Sequence, residues 1–113
     1  MTSSHIPEIL VEPPGPRSRE LHERAMRHMV GFSSQVSLFP VAFEGGRDCA
    51  LRDVDGNTYL DFSSGIYVCG TGHCHPRVVE AIQREAAKLI NCHDFTTPAK
   101  VRLLERLAEI APG

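Results

Sequence analysis

The sequence predicts an α+β fold: one amphipathic helix, a β-hairpin or short meander, then two further helices. Three observations carry that expectation. Asp55-Gly56-Asn57 separates two runs of strand character, CALRDV and TYLDF, and an Asp-Gly step between such runs is a strong hairpin signal. Apolar residues recur at helical spacing before the hairpin and again in two stretches after it. The hairpin joins the second helix through a glycine-rich stretch, Ser63–Pro76 (SSGIYVCGTGHCHP), which carries Cys and His at a density that packing does not require.

Residues 1–16 read as an extended leader, because Pro7, Pro13, Pro14 and Pro16 exclude a helix. Arg17–Val30 reads as a helix. Pro16 suits its first turn, Leu21, Ala25 and Met29 form an apolar stripe, Glu20 and Arg24 pair at i,i+4, and Gly31 suits its end. Phe32–Glu44 has no helical period and contains Pro40, so an extended or edge strand is expected, followed by a turn at Gly45-Gly46. Cys49–Phe62 is the hairpin, and its imperfect alternation leaves either register open.

Pro76–Ile90 reads as the second helix. Val78, Val79, Ile82, Ala86, Leu89 and Ile90 form one stripe, with Glu80–Arg84 on the opposite face. Asn91–Thr97 connects it to the third. Thr97 is suited to cap that helix and Pro98 to open it; Val101, Leu104, Ala108 and Ala111 supply its apolar face.

The 113 residues suffice for one small domain, with 42% hydrophobic and 23% charged residues, an ordinary globular composition. A net charge of −2 gives no basic footprint for nucleic acid. No apolar run approaches a membrane span, and MTSSHIPEIL lacks the pattern of a signal peptide. The four cysteines, without a secretory signal, point to a reducing, cytoplasmic compartment rather than a disulfide framework.

Four chemistries compete for the glycine-rich stretch. Cys69, His73, Cys74, His75, Cys92 and His93 supply soft metal ligands, but no CxxC or HxxxH spacing is present. Cys74 near a helix start has the setting of a reactive thiol, without an evident orienting group. Gly65, Gly70 and Gly72 match neither the dinucleotide nor the P-loop pattern. Ile66, Tyr67 and Val68, apolar and aromatic on a glycine-rich bend, suit the wall of a small-ligand pocket or plain core.

The run Leu51–Phe62 (LRDVDGNTYLDF), followed by Ser64-Gly65-Ile66, resembles the N-terminal region of class III aminotransferases. These are pyridoxal-phosphate enzymes of the α/β aspartate-aminotransferase-like fold. The likeness continues through Gly72-His73-Cys74-His75-Pro76 and Val78–Ile82 to Leu104, Leu107 and Ala111-Pro112-Gly113. Pro14-Gly15-Pro16 is similar to the start of the 4-aminobutyrate and acetylornithine branch.

This resemblance implies three parts: a leader over 1–16, a small N-terminal part over 17–75, and helices over 76–113 that lead into a large domain. It implies amino transfer from an ω-amino donor such as 4-aminobutyrate to a 2-oxo acid, in a homodimer without nucleic-acid or membrane partners. It also implies that Ile66, Tyr67, Val68 and Phe95 bind substrate, and that no catalytic, cofactor-binding or metal-binding residue lies in this chain. The only lysines, Lys88 and Lys100, do not match the family's cofactor lysine, so an N-terminal segment, inactive alone, is expected. A racemase or aminomutase of the same family, and a non-catalytic Cys/His metal-binding module, are the alternatives.

Overall fold

A computed structural model describes residues 6–29 and 38–112. Val30, Gly31 and the stretch from Phe32 to Ser37, in which a helix end and the start of an extended segment are expected, lie outside the described residues. The described elements are α1 (Pro16–Met26), β1 (Phe43–Arg47), β2 (Ala50–Asp53), β3 (Thr58–Leu60), a single turn α2 (Ser64–Tyr67), α3 (Pro76–Ala86) and α4 (Pro98–Ile110). The chain divides after Pro76 into two compact units.

The first unit is built on an antiparallel sheet of order β1-β2-β3. Ala50 pairs with Leu60, Leu51 with Tyr59 and Arg52 with Thr58, which settles the hairpin register. Leu51, Asp53 and Tyr59 therefore share a face. The rings of Phe39 and Phe43 meet Tyr59 edge-on at 6.3 and 5.8 Å.

The expected turn at Gly45-Gly46 is not there. Both glycines lie inside β1, where Gly46 pairs with Leu51, and the chain reverses at Asp48-Cys49 instead. The reason is close approach. A Cβ on Gly46 would stand 3.0 Å from His73 Cβ and 3.0 Å from Leu51 Cδ2, so glycine serves here to let another segment cross the strand.

The centre of this unit is polar. Asp53, Asn57 and Ser18 have no solvent exposure, and Val54 is the buried apolar residue beside them. Asp53 accepts hydrogen bonds from Tyr59 Oη (2.7 Å), Asn57 Nδ2 (2.9 Å) and the backbone N–H groups of Asn57 (2.8 Å) and Asp55 (3.0 Å). Asn57 Oδ1 in turn accepts from the N–H groups of Leu10 (2.7 Å) and Val11 (2.8 Å). Glu8 and Thr58 exchange two backbone bonds. The described part of the leader is thus strapped along the hairpin. Proline makes that possible: a chain that cannot coil presents its N–H groups outward.

Helix α1 starts at Gly15, which has no side chain to cap it. Asp55 supplies the cap from the hairpin turn, accepting from Arg17 N and Ser18 N at 2.8 Å each. The expected pair Glu20–Arg24 forms at 3.7 Å.

In the second unit, α3 ends at Ala86 rather than Ile90, with Ala87–Leu89 continuing as a looser turn. Arg84 meets Glu85 at 3.3 Å rather than the expected Glu80. Thr97 caps α4 as expected, its Oγ1 accepting from Lys100 N at 3.1 Å. Apolar residues of both helices stand open: Ile82, Leu104 and Ile110 are exposed, and so is Ile90, beyond the end of α3, at 90%.

Candidate functional site

The glycine-rich stretch leaves β3 through Asp61, whose N–H bonds Cys49 O at 2.9 Å. Asp61 then arrests the chain with its own side chain. Oδ1 accepts from Ser63 N (2.8 Å), Ser63 Oγ (2.8 Å) and Ser64 N (3.0 Å). Asp with Ser two residues later is a local turn signature.

From Ser64 the backbone winds into a left-handed turn. Ser64, Gly65, Ile66 and Tyr67 all have positive φ, at 47°, 62°, 64° and 65°. The turn is closed by Tyr67 N→Ser63 O (2.8 Å), Val68 N→Ser64 O (3.0 Å) and Cys69 N→Ser64 O (2.9 Å). For L-residues this hand costs roughly 1–2 kcal/mol each. Ser64, Ile66 and Tyr67 all bear that cost, and a β-branched residue is the least suited of the three.

The chain returns to the sheet at His73. His73 and Asp48 exchange backbone bonds at 3.0 and 2.8 Å. Gly72 is required at this crossing: its φ is +82°, and a Cβ there would lie 3.0 Å from Asp48 Cα. The His73 ring then reaches Asp61, with Nε2 2.6 Å from Oδ2. The carboxylate is 5% exposed and the imidazole 19%. The bond from His73, then that from the Ser63 hydroxyl, then the Ser63 and Ser64 N–H groups outweigh burial and hold the Asp61 carboxyl down at about 2. An ionised carboxylate only accepts, so Nε2 is the donor.

The pinned turn displays its side chains outward. Ile66 is 68% exposed, Tyr67 89% and Val68 78%. They present apolar and aromatic surface, while the nearby carboxylate and imidazole are committed to each other. The chemistry this arrangement offers is binding. Ile66, Tyr67 and Val68 stand side by side at this turn. Phe95 belongs to the second unit, where its N–H bonds Cys92 O at 3.0 Å and its side chain is 78% exposed.

Sequence reasoning missed the Asp61–His73 pair. Asp61-Phe62-Ser63 was a readable cue for the turn. The pairing itself depends on the Asp48–His73 crossing, for which no local signal exists. Among the described residues, no group of three or more His, Cys, Asp or Glu side chains is placed to hold a metal ion. No described helix is long and apolar enough to cross a membrane.

A concavity of about 330 Å³ lies in the second unit, between the end of α3 and the start of α4. Lys88 lines it, but its Nζ is held by Glu85 at 3.0 Å. Lys100 Nζ is engaged by the carbonyls of His93 (3.4 Å) and Phe95 (3.3 Å). A lysine that bonds covalently to a cofactor carbonyl needs a free amine in a desolvated site beside groups for the rest of the cofactor. Lys88, exposed and paired with Glu85, and Lys100, half-buried with its amine on two carbonyls, do not fit that role.

The profile of the family described as aminotransferase class-III matches residues 32–113. The chain belongs to the class III aminotransferase family. It is 35% identical over 108 residues to an alanine/serine racemase of Pyrococcus horikoshii, a match covering 94% of this chain and 23% of the relative. It is likewise 35% identical over 108 residues to a 4-aminobutyrate aminotransferase of Mycobacterium bovis, covering 93% and 23%. Among solved structures, a transaminase with pyridoxal phosphate bound superposes with a TM-score of 0.72 at 30% identity, covering 82% of this chain and 23% of that one. The chain thus spans about a quarter of the length of the class III proteins it matches. Its helices and three-stranded sheet are an α+β segment of their fold.

Proposed function

We propose that this chain forms a wall of the substrate pocket in a pyridoxal-phosphate-dependent aminotransferase, which moves an amino group from an ω-amino donor such as 4-aminobutyrate to a 2-oxo acid. The observation that carries the reading is the left-handed turn. Backbone strain retained under exposed apolar side chains is a mark of a functional surface, and here it displays Ile66, Tyr67 and Val68. Phe95 is a further pocket residue in this reading. The cofactor's lysine lies outside these residues, since Lys88 and Lys100 do not fit it, so the chain by itself is inactive. The complete enzyme is a cytoplasmic homodimer. Four free cysteines support the compartment, and the open apolar faces support cover by further polypeptide.

Two measurements test this. Titrating the 113-residue chain with pyridoxal phosphate is expected to give no saturable absorbance band; a one-to-one band would overturn the placement of the lysine. In the complete enzyme, Tyr67→Ala is expected to raise KM for the amino donor, and an unchanged KM across donors would remove Tyr67 from the pocket.

The racemase relative supports a second reading, amino-acid racemisation at the same wall. Loss of optical rotation in a single amino acid, without consumption of a 2-oxo acid, is the outcome that selects it.

A further inference from the structure

We infer that Asp61 and His73 are positioning residues, a side-chain clasp that fixes the left-handed turn and so sets where Ile66 and Tyr67 stand in the pocket. The inference rests on the aminotransferase reading above for the word pocket, and on geometry alone for the clasp.

The turn cannot hold itself. Its three closing bonds all lie within Ser63–Cys69, while Ser64, Ile66 and Tyr67 all sit in a backbone region that L-residues avoid. Something outside the turn must over-determine it. The backbone anchors lie at the ends of the stretch: Asp61 N on Cys49 O, and His73 on Asp48. Both anchors fall on the same two-residue reversal of the sheet, so start and finish are brought side by side. The only bond described across that gap by side chains is His73 Nε2 to Asp61 Oδ2 at 2.6 Å.

Asp61 links the clasp to the turn. One oxygen holds the first N–H groups of the turn, at Ser63 and Ser64, and the other holds His73. Removing the imidazole leaves a carboxylate oxygen, 5% exposed, without that donor. A carboxylate so placed rotates toward water, and rotation withdraws Oδ1 from Ser63 and Ser64. The strained turn then loses its starting constraint and relaxes to right-handed or extended backbone, carrying Ile66 and Tyr67 away.

The test uses chymotrypsin on the 113-residue chain, and kinetics in the complete enzyme. His73→Ala is expected to speed cleavage after Tyr67 on the order of tenfold relative to cleavage after Tyr59, a site within the sheet. His73→Gln, which keeps a side-chain N–H toward Asp61, is expected to restore most of the protection. In the enzyme, His73→Ala is expected to raise the donor KM several-fold more than it lowers kcat. Unchanged cleavage after Tyr67 in His73→Ala overturns the clasp. If His73→Ala opens both sites alike, His73→Gln decides: selective protection of the Tyr67 site supports the clasp, and cleavage as in His73→Ala overturns it. Faster cleavage together with an unaltered KM for Tyr67→Ala leaves the clasp standing and overturns the pocket reading instead.

Discussion

The carboxylate of Asp55 lies against Gly15, so that the turn of a β-hairpin caps a helix 37 and 38 residues away through Ser18 N and Arg17 N. A Cβ on Gly15 would collide with the Asp55 carboxyl group. Gly15 has ordinary extended backbone, φ −68° and ψ 172°, so its requirement is space and not conformation. Gly15→Ala is therefore expected to destabilise the first unit by about 1–3 kcal/mol, the usual cost of forced overpacking. Asp55→Ala, which removes the cap and makes room, is expected to destabilise as well, and the double variant to be less damaged than the sum of the two. Urea unfolding monitored by helical circular dichroism measures all three.

Asn57 connects the buried carboxylate of Asp53 to the leader. Burial raises the Asp53 carboxyl, but the Tyr59 hydroxyl, the Asn57 amide and the Asn57 and Asp55 N–H groups outweigh it and hold Asp53 below its ordinary value. Asn57→Leu keeps the bulk and removes the acceptor for Leu10 N and Val11 N. Hydrogen exchange at those two amides is expected to approach that of a free chain, while the Asp48–His73 bridge amides keep their protection. Equal loosening at both places would show that Asn57 holds the whole unit and not the strap.

Gly46 is a steric requirement of the His73 crossing. With Leu51 Cδ2 and His73 Cγ both 3.0 Å from the position of a Cβ, Gly46→Ala is expected to cost about 1–3 kcal/mol. The damage is expected to be local, with the Asp48 and His73 amides exchanging faster. Gly45→Ala is the control, because a Cβ there meets nothing within 4 Å.

These positions show what the sequence could and could not convey. The hairpin was legible because Asp55-Gly56 acts locally: Gly56 takes φ +93°, as such turns demand. Thr97 and Pro98 were legible for the same reason. Gly45-Gly46 misled, because a glycine that permits a turn and a glycine that permits another segment to pass look alike in one dimension. The left-handed turn was hidden too. Ile66 and Tyr67 have no intrinsic reason to take positive φ, and the side chain that holds the start of their turn, Asp61, is itself met by the distant His73. The polar centre was the largest omission. Asp53 and Asn57 were legible only as parts of the hairpin, and nothing local shows that the leader, some 46 residues away from Asn57, closes over them.

Tyr59 gives the polar centre a measurable alkaline limit. Burial, then its hydrogen bond to Asp53, pushes the phenol up to about 12 from an ordinary 10.0. The folded state thus favours the neutral phenol, and in the unfolded chain the phenol ionises near its ordinary value. Tyr59 therefore stabilises the fold fully below about pH 10. That contribution declines as pH rises and is gone once the folded phenol has itself ionised, near 12. In a Tyr67→Phe background, which leaves one tyrosine, phenolate absorbance of the folded chain is expected to appear well above pH 10 and to shift down on unfolding in urea. Tyr59→Phe is expected to cost roughly 1.5–3 kcal/mol at neutral pH, because a buried carboxylate loses a donor. It is also expected to flatten the alkaline fall in stability between those two values. A folded-state titration at the ordinary tyrosine value would mean that the hydroxyl faces water and that Asp53 is held by Asn57 and the backbone alone.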